Sequence, residues 1–225
     1  MTPLSRTRVK ICGLTRPADV LAVVQAGADA VGLVFYPASR RCVTLEQAAA
    51  LRAQVPAFVS VVALFVNPQP DDVRQVLDAV RPDLLQFHGE ESADFCGQFG
   101  APYLKAFRVG APGLDSAAGL AAACAGYSRA SGWLFDSYSP AYGGSGCRFD
   151  TDLLTQLPRD AHAPALVLSG GLTAAGVGVD IADQRPFAVD VSSGVESAPG
   201  IKDPAKIQAF MQAVQAADRL RCGLN

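Results

Sequence analysis

The chain is poor in metal-binding side chains. It has two histidines, His88 and His162, and six cysteines that do not form the close pairs typical of a metal site. The cysteines lie at positions 12, 42, 96, 124, 147 and 222. A zinc site is therefore poorly supplied and we expect no bound metal. Reduced thiols in the cytoplasm are the natural interpretation of these cysteines.

The chain also lacks long apolar segments and a strong charge of either sign. Its longest uninterrupted apolar run, residues 61–66, is far too short to cross a bilayer. Residues 1–7 have no apolar core behind their charge, so they do not resemble a secretory signal. The net charge of -2 argues against nucleic acid or an anionic membrane as a partner. We expect a cytoplasmic protein with neither partner.

Apolar β-rich runs alternate regularly with Ala/Leu-rich helical stretches, with no break in composition. The predicted strands are Val9–Cys12, Ala30–Phe35, Phe58–Phe65, Leu84–Phe87, Tyr103–Phe107, Trp133–Asp136, Ala165–Ser169 and Ala188–Val191. The predicted helices are Ala18–Ala26, Leu45–Gln54, Asp72–Val80, Ser92–Phe99, Leu114–Cys124, Asp150–Leu157, Thr173–Asp183 and Pro204–Ala217. This pattern predicts an α/β fold, a single-domain (β/α)8 TIM barrel over residues 1–225, with residues 1–7 as a short N-terminal extension. An open doubly wound sheet is the alternative, but the first turn lacks its G-x-G-x-x-G signature.

Reactive side chains follow the predicted strands on one face of this barrel. Cys12 ends the first strand and Asp136 ends the sixth, so the two can approach a small ligand from opposite sides. A thiolate and a carboxylic acid suit paired proton transfer, one removing a carbon-bound proton and the other protonating an oxygen. Lys10 lies two residues before Cys12, on the same face of the strand, and its charge should favour the thiolate. Asp136 would need a pKa raised by burial to start protonated.

Three Gly/Ser-rich stretches follow the sixth, seventh and eighth strands, at residues 143–146, 169–171 and 192–194. Bare backbone N–H groups that converge there can bind a phosphate dianion, and barrels commonly hold phosphate at this position. A short helical turn at residues 192–195 would add its N-terminal amides. We therefore expect a phosphorylated small molecule as the ligand. No Walker-type Lys-Ser/Thr follows these stretches, which argues against a nucleotide triphosphatase.

Several motifs together resemble those of the phosphoribosylanthranilate isomerase family of tryptophan biosynthesis. They are Lys10-Ile-Cys-Gly-Leu-Thr15, Gly27-Ala-Asp-Ala-Val-Gly32, Leu85-Gln-Phe-His-Gly89, Gly143-Gly-Ser-Gly146, Ser169-Gly-Gly-Leu172 and Asp190-Val-Ser-Ser-Gly-Val-Glu196. The resemblance covers nearly the whole chain and follows the family's order. It implies a barrel that isomerises N-(5-phosphoribosyl)anthranilate to 1-(2-carboxyphenylamino)-1-deoxyribulose 5-phosphate, an Amadori rearrangement that needs neither a metal nor an organic cofactor.

The resemblance also implies a role for individual residues. Cys12 would be the general base at the sugar C2′ and Asp136 the general acid on the furanose oxygen. Lys10, Arg41, His88 and Asp190 would belong to the substrate-binding set, with Arg41 on the anthranilate carboxylate and Asp190 orienting the anthranilate end. The phosphate would be held by Gly144, Gly146, Gly171, Ser193 and Gly194.

Four points stay open at this stage. The family usually has proline and an aromatic residue where this chain has Arg40 and Cys42, so either Arg40 or Arg41 could contact the carboxylate. His88 could line the pocket or be a structural histidine. The rival functions are another phosphosugar barrel enzyme, of histidine or tryptophan synthesis, and a non-catalytic barrel that binds a phosphorylated metabolite. The chain could act as a monomer or a homodimer.

Overall fold

Eight parallel strands close into a barrel in chain order, and β8 pairs with β1 to complete the ring. The computed structural model describes residues 6–139, 148–160 and 162–221. The strands are β1 Arg8–Cys12, β2 Ala30–Val34, β3 Ser60–Phe65, β4 Leu84–Phe87, β5 Tyr103–Val109, β6 Gly132–Ser137, β7 Ala165–Leu168 and β8 Ala188–Val191. The predicted (β/α)8 barrel is therefore confirmed.

The α-helices of the described chain cover the outside of this barrel. They are α1 Pro17–Gln25, α2 Leu45–Arg52, α3 Pro70–Val80, α4 Ala93–Gly97, α5 Ala117–Ala125, α6 Val177–Gln184 and α7 Pro204–Arg221. Their starts follow local chemistry. The Thr44 side chain accepts from the backbone N–H of Gln47 in a capping box, and Pro17 and Pro70 occupy first turns, where no backbone donor is needed. None of the described helices is both long and apolar enough to cross a membrane.

The structure corrects one predicted helix and several boundaries. Asp150–Leu157 was predicted as a helix, but the described segment contains only a 3-10 turn at Thr151–Leu154. Its first bond runs from the Asp152 N–H to the Asp150 side chain, a local turn that competes with an α-helix. The third strand begins at Ser60 rather than Phe58, because Phe58 adopts a positive φ of 70° that a strand does not allow.

Apolar side chains fill both sides of the barrel wall. Between strands and helices lies the main core, which includes the stacked rings of Phe65 and Phe87. A smaller cluster, formed by Leu104, Ala106, Leu134, Val167 and Ala188, fills the barrel interior. Because these strands are buried on both faces, they read as continuous apolar runs in the sequence.

A short hairpin that the sequence did not predict follows the last barrel strand. After a 3-10 turn at Ser193–Val195, β9 Glu196–Ala198 pairs antiparallel with β10 Ile201–Lys202, and α7 begins two residues later. With only three and two residues, these strands are too short to give a periodic pattern. The hairpin brings the charged side chains of Glu196, in β9, and Lys202, in β10, together in an ion pair.

Candidate active site

A cavity opens at the carboxyl ends of the strands, where barrel enzymes hold their active sites. Its lining includes most of the site residues that the sequence predicted. These are Cys12, Arg41, His88, Asp136, Gly171, Asp190, Ser193 and Gly194. Gly144 and Gly146 lie outside the described residues. Lys10, two residues before Cys12 on β1, is not in the lining.

The thiol of Cys12 is buried at the end of β1, directly opposite Gly32 in the neighbouring strand. A Cβ atom on Gly32 would lie only 2.7 Å from the Cys12 sulfur and 3.0 Å from its Cα. The absence of a side chain at Gly32 is therefore what leaves room for the thiol. The sequence contains Gly32, but only the strand register reveals this purpose.

Beneath the thiol, Lys10 and Asp190 form a buried ion pair with a distance of 2.8 Å between Nζ and Oδ1. Burial alone would lower the pKa of Lys10, but the charges and hydrogen bonds of Asp190 and Cys12 raise it overall. The pKa of Cys12 is also raised. Burial outweighs the opposing pull of Lys10 and Lys202, and the Asp190 charge adds to the rise. The sequence predicted that Lys10 favours the thiolate. Lys10 does act in that direction, but burial has the larger effect and the pKa of Cys12 is raised overall.

Asp136 faces the cavity from β6 and is fixed through both carboxylate oxygens. Its Oδ1 accepts from the Ser137 backbone N–H at 2.8 Å, and its Oδ2 lies 3.2 Å from His88 Nε2. The other ring nitrogen of His88 lies 3.2 Å from Gln86 Nε2. His88 thus combines the two roles that the sequence left open, since it lines the cavity and also contacts Asp136.

Gly170 allows the loop after β7 to approach this carboxylate. Its φ of 82° lies in the left-handed region, and a Cβ there would meet the Ser137 nitrogen at 2.7 Å and Asp136 Oδ1 at 3.1 Å. The next residue, Gly171, has a φ of 64°. The loop after β8 closes against it, since a Cβ on Gly194 would collide with the carbonyl oxygen of Leu172. The two Gly/Ser loops therefore pack together with bare backbone facing the cavity.

Of the two adjacent arginines, Arg41 lines the cavity and Arg40 is exposed. The Arg41 stem crosses directly over Gly13, where any side chain would collide with it. Two nitrogens of its guanidinium are already bound, since Nε donates to Glu196 Oε1 at 2.8 Å and Nη2 donates to Glu196 Oε2 at 2.7 Å. The side edge of the guanidinium is therefore occupied, and among the described residues nothing binds the end edge, Nη1 with Nη2, which can take a ligand.

Three residues of this site were not predicted from the sequence: Gln86, Glu196 and Lys202. Gln86 and Glu196 lie inside the quoted motifs, but their letters do not say which atoms they contact. Lys202 had no signal, because a lysine near the start of a helix is ordinarily exposed. In the structure it is almost completely buried, and its Nζ lies 2.9 Å from Glu196 Oε1.

Known proteins resemble this chain over nearly its whole length. The sequence model of N-(5'-phosphoribosyl)anthranilate isomerase matches residues 9–213. The isomerase of Bordetella petrii is 64% identical over 217 residues, which cover 96% of this chain and 99% of that one. The crystal structure of the Thermotoga maritima isomerase is 40% identical, with a TM-score of 0.83 over 93% of this chain and 99% of that chain.

A further solved isomerase is in complex with reduced 1-(o-carboxyphenylamino)-1-deoxyribulose 5-phosphate. It is 35% identical with a TM-score of 0.79, and the match covers 93% of this chain and 99% of that chain. Sequence identity at this level across almost the entire chain shows a common family and not only a common fold. The chain belongs to the N-(5'-phosphoribosyl)anthranilate isomerase family of enzymes.

Proposed function

We propose that this chain isomerises N-(5-phosphoribosyl)anthranilate in tryptophan biosynthesis, with Cys12 as the general base and Asp136 as the general acid. The observation that carries the proposal is the shared cavity, which a thiol from β1 and a carboxyl group from β6 both line. A general base and a general acid acting on neighbouring atoms of one small substrate need this arrangement. Family membership supplies the reaction class.

The reaction divides into two proton transfers. Asp136 gives its proton to the furanose ring oxygen, the C1′–O bond breaks, and the nitrogen lone pair forms a C1′=N iminium. The Cys12 thiolate then takes the proton from C2′, the C–H electrons form a C1′=C2′ double bond, and the nitrogen regains its lone pair. The resulting enol moves its hydroxyl proton to C1′ and becomes the ketone. Exchange with water returns the proton from Cys12 to Asp136.

The two ends of the substrate have separate binding regions in this proposal. Gly171, Ser193 and Gly194 bind the phosphate through backbone N–H groups, because two packed glycine loops permit a close approach. Arg41 binds the anthranilate carboxylate through the end edge of its guanidinium, a charge-assisted contact. The same proposal includes a cytoplasmic location and leaves the protein as a monomer or a homodimer.

The direct test is turnover of phosphoribosylanthranilate, followed by the loss of anthranilate-type fluorescence. The substrate hydrolyses readily, so it is generated in place and compared with an enzyme-free reaction. A rate far above that control supports the proposal. Tight binding of the product analogue without turnover would favour the non-catalytic barrel, and turnover only of a different sugar phosphate would favour the rival enzyme.

A further inference from the structure

A buried cluster of three charged side chains lies beside the cavity. It consists of Arg41, Glu196 and Lys202, whose side chains are 14%, 5% and 0% exposed. The Glu196 carboxylate sits between the two cations and binds both. Because the cluster carries one negative and two positive charges, its net charge is +1.

Glu196 fixes the guanidinium of Arg41 in one orientation. The paired contacts of 2.8 and 2.7 Å involve Nε and Nη2, so the planar group cannot rotate without breaking both. Gly13 removes the remaining freedom, because the Arg41 stem lies against its backbone. The end edge of the guanidinium is thereby left pointing away from Glu196.

Lys202 in turn fixes Glu196 and the loop after β8. Its ammonium group donates to Glu196 Oε1 at 2.9 Å, to the Ser192 carbonyl at 3.1 Å and to the Ser192 hydroxyl at 3.3 Å. All three of its N–H groups are used. The Ser192 hydroxyl donates to the Cys12 carbonyl oxygen at 3.0 Å, which ties the cluster to the end of β1. A buried ammonium with every donor satisfied is a rigid anchor.

We infer that Glu196, locked by Lys202, is a positioning residue that aims the free edge of Arg41 at the carboxylate of the substrate. The inference rests on the proposed function and goes beyond it, since it makes Glu196 a determinant of selectivity for substrates with a carboxylate on the aromatic ring. A buried anion next to the arginine would otherwise be an unfavourable neighbour for an anionic ligand. The presence of Glu196 is explained if the orientation of the Arg41 guanidinium contributes more to carboxylate binding than the net charge of the cluster does.

The variant Glu196→Gln separates orientation from charge. It raises the net charge of the cluster from +1 to +2, so attraction by charge alone would tighten the binding of a carboxylate. Positioning predicts the opposite, because glutamine puts an NH2 donor in place of one of the two carboxylate oxygens, so one of the two parallel Arg41 contacts is lost. We expect the reduced product analogue to bind Glu196→Gln about tenfold more weakly than wild type, the lower end of the roughly 10- to 150-fold that a charge-assisted contact is worth. An analogue without the carboxylate should bind both proteins within about twofold.

Three further variants complete the experiment, with binding measured by calorimetry and folding checked by thermal unfolding. The double variant Glu196→Gln with Lys202→Met restores the net charge of +1, yet should still lose the preference for the carboxylate. Glu196→Asp keeps the charge but shortens the side chain, and should lose it as well. Lys206→Met is the matched control, because this exposed lysine donates to the backbone carbonyl of Glu196 and, within the described part of the chain, to no side chain of the cluster. It should retain the preference of the wild type.

Unchanged or tighter binding of the carboxylate analogue by Glu196→Gln would overturn the inference. Equal weakening of both analogues would also overturn it, since that result indicates a purely structural role. If wild type binds both analogues without preference, the inference fails while the isomerase function stands. If wild type binds neither analogue and does not turn over substrate, the proposed function itself fails.

Discussion

Replacing Gly32 with alanine tests the geometry around the thiol without touching a group that reacts. The new Cβ would lie 2.7 Å from the Cys12 sulfur, whereas ordinary contacts begin at 3.4 Å, so the sulfur must move by about 0.7 Å. A displacement of about 1 Å at a reacting group can lower the rate about 100-fold. We therefore expect kcat to fall by 10- to 100-fold in the fluorescence assay, with KM changed little.

Gly132→Ala is the matched control for this variant. Its Cβ would be crowded in the same way, at 2.9 Å from the Ala165 carbonyl oxygen and 2.9 Å from Leu104 Cδ2, but at the start of β6, away from the cavity. Both variants should lose about 1–3 kcal/mol of stability through overpacking, measured by denaturant unfolding. Only Gly32→Ala should show a loss of kcat larger than its loss of stability accounts for. A Gly32→Ala enzyme with normal kcat, or a Gly132→Ala enzyme with the same loss, would refute the reasoning.

Three further predictions concern the proposed reaction groups. Asp136→Asn should lower kcat by about 10²–10⁴-fold while the calorimetric affinity for the product analogue stays constant, and a large rise in KM at constant kcat would make Asp136 a binding residue. Arg41→Ala should weaken that affinity by about 10- to 150-fold and Arg40→Ala hardly at all, and an exchange of the two effects would shift the contact to Arg40. Because burial raises the pKa of Cys12, kcat/KM should still be rising with pH at pH 8, whereas a profile already flat at pH 7 would contradict a thiolate base.

The barrel could be predicted because its signal is spread over the whole chain. Runs such as Ser60–Phe65 are apolar on every residue after the first, which is the pattern of a strand buried on both faces. Details set by a few atoms could not be predicted in this way. Asp150 is typical of a helix start, but its side chain closes a local turn instead. The residues around Phe58 give no indication of its positive φ.

In the candidate site, too, the features set by strand order could be predicted and those set by single contacts could not. Strand order alone predicts that Cys12 and Asp136 meet at one face, and the cavity contains both. Their catalytic roles remain predictions. Burial could not be read from the sequence, and so neither could the raised pKa of Cys12 nor the anchoring of Lys202. Arg41 was predicted to bind the substrate carboxylate, but the sequence did not show that two of its guanidinium nitrogens donate to Glu196, a residue 155 positions away.

Turnover by Cys12→Ser, compared with wild type, tests the central claim most directly. A hydroxyl is a far weaker base than a thiolate, so the variant should fold with an unchanged unfolding temperature and bind the product analogue normally. Its kcat with phosphoribosylanthranilate should fall by about 10²–10⁴-fold. Activity within about threefold of wild type would contradict the account and remove Cys12 from the mechanism.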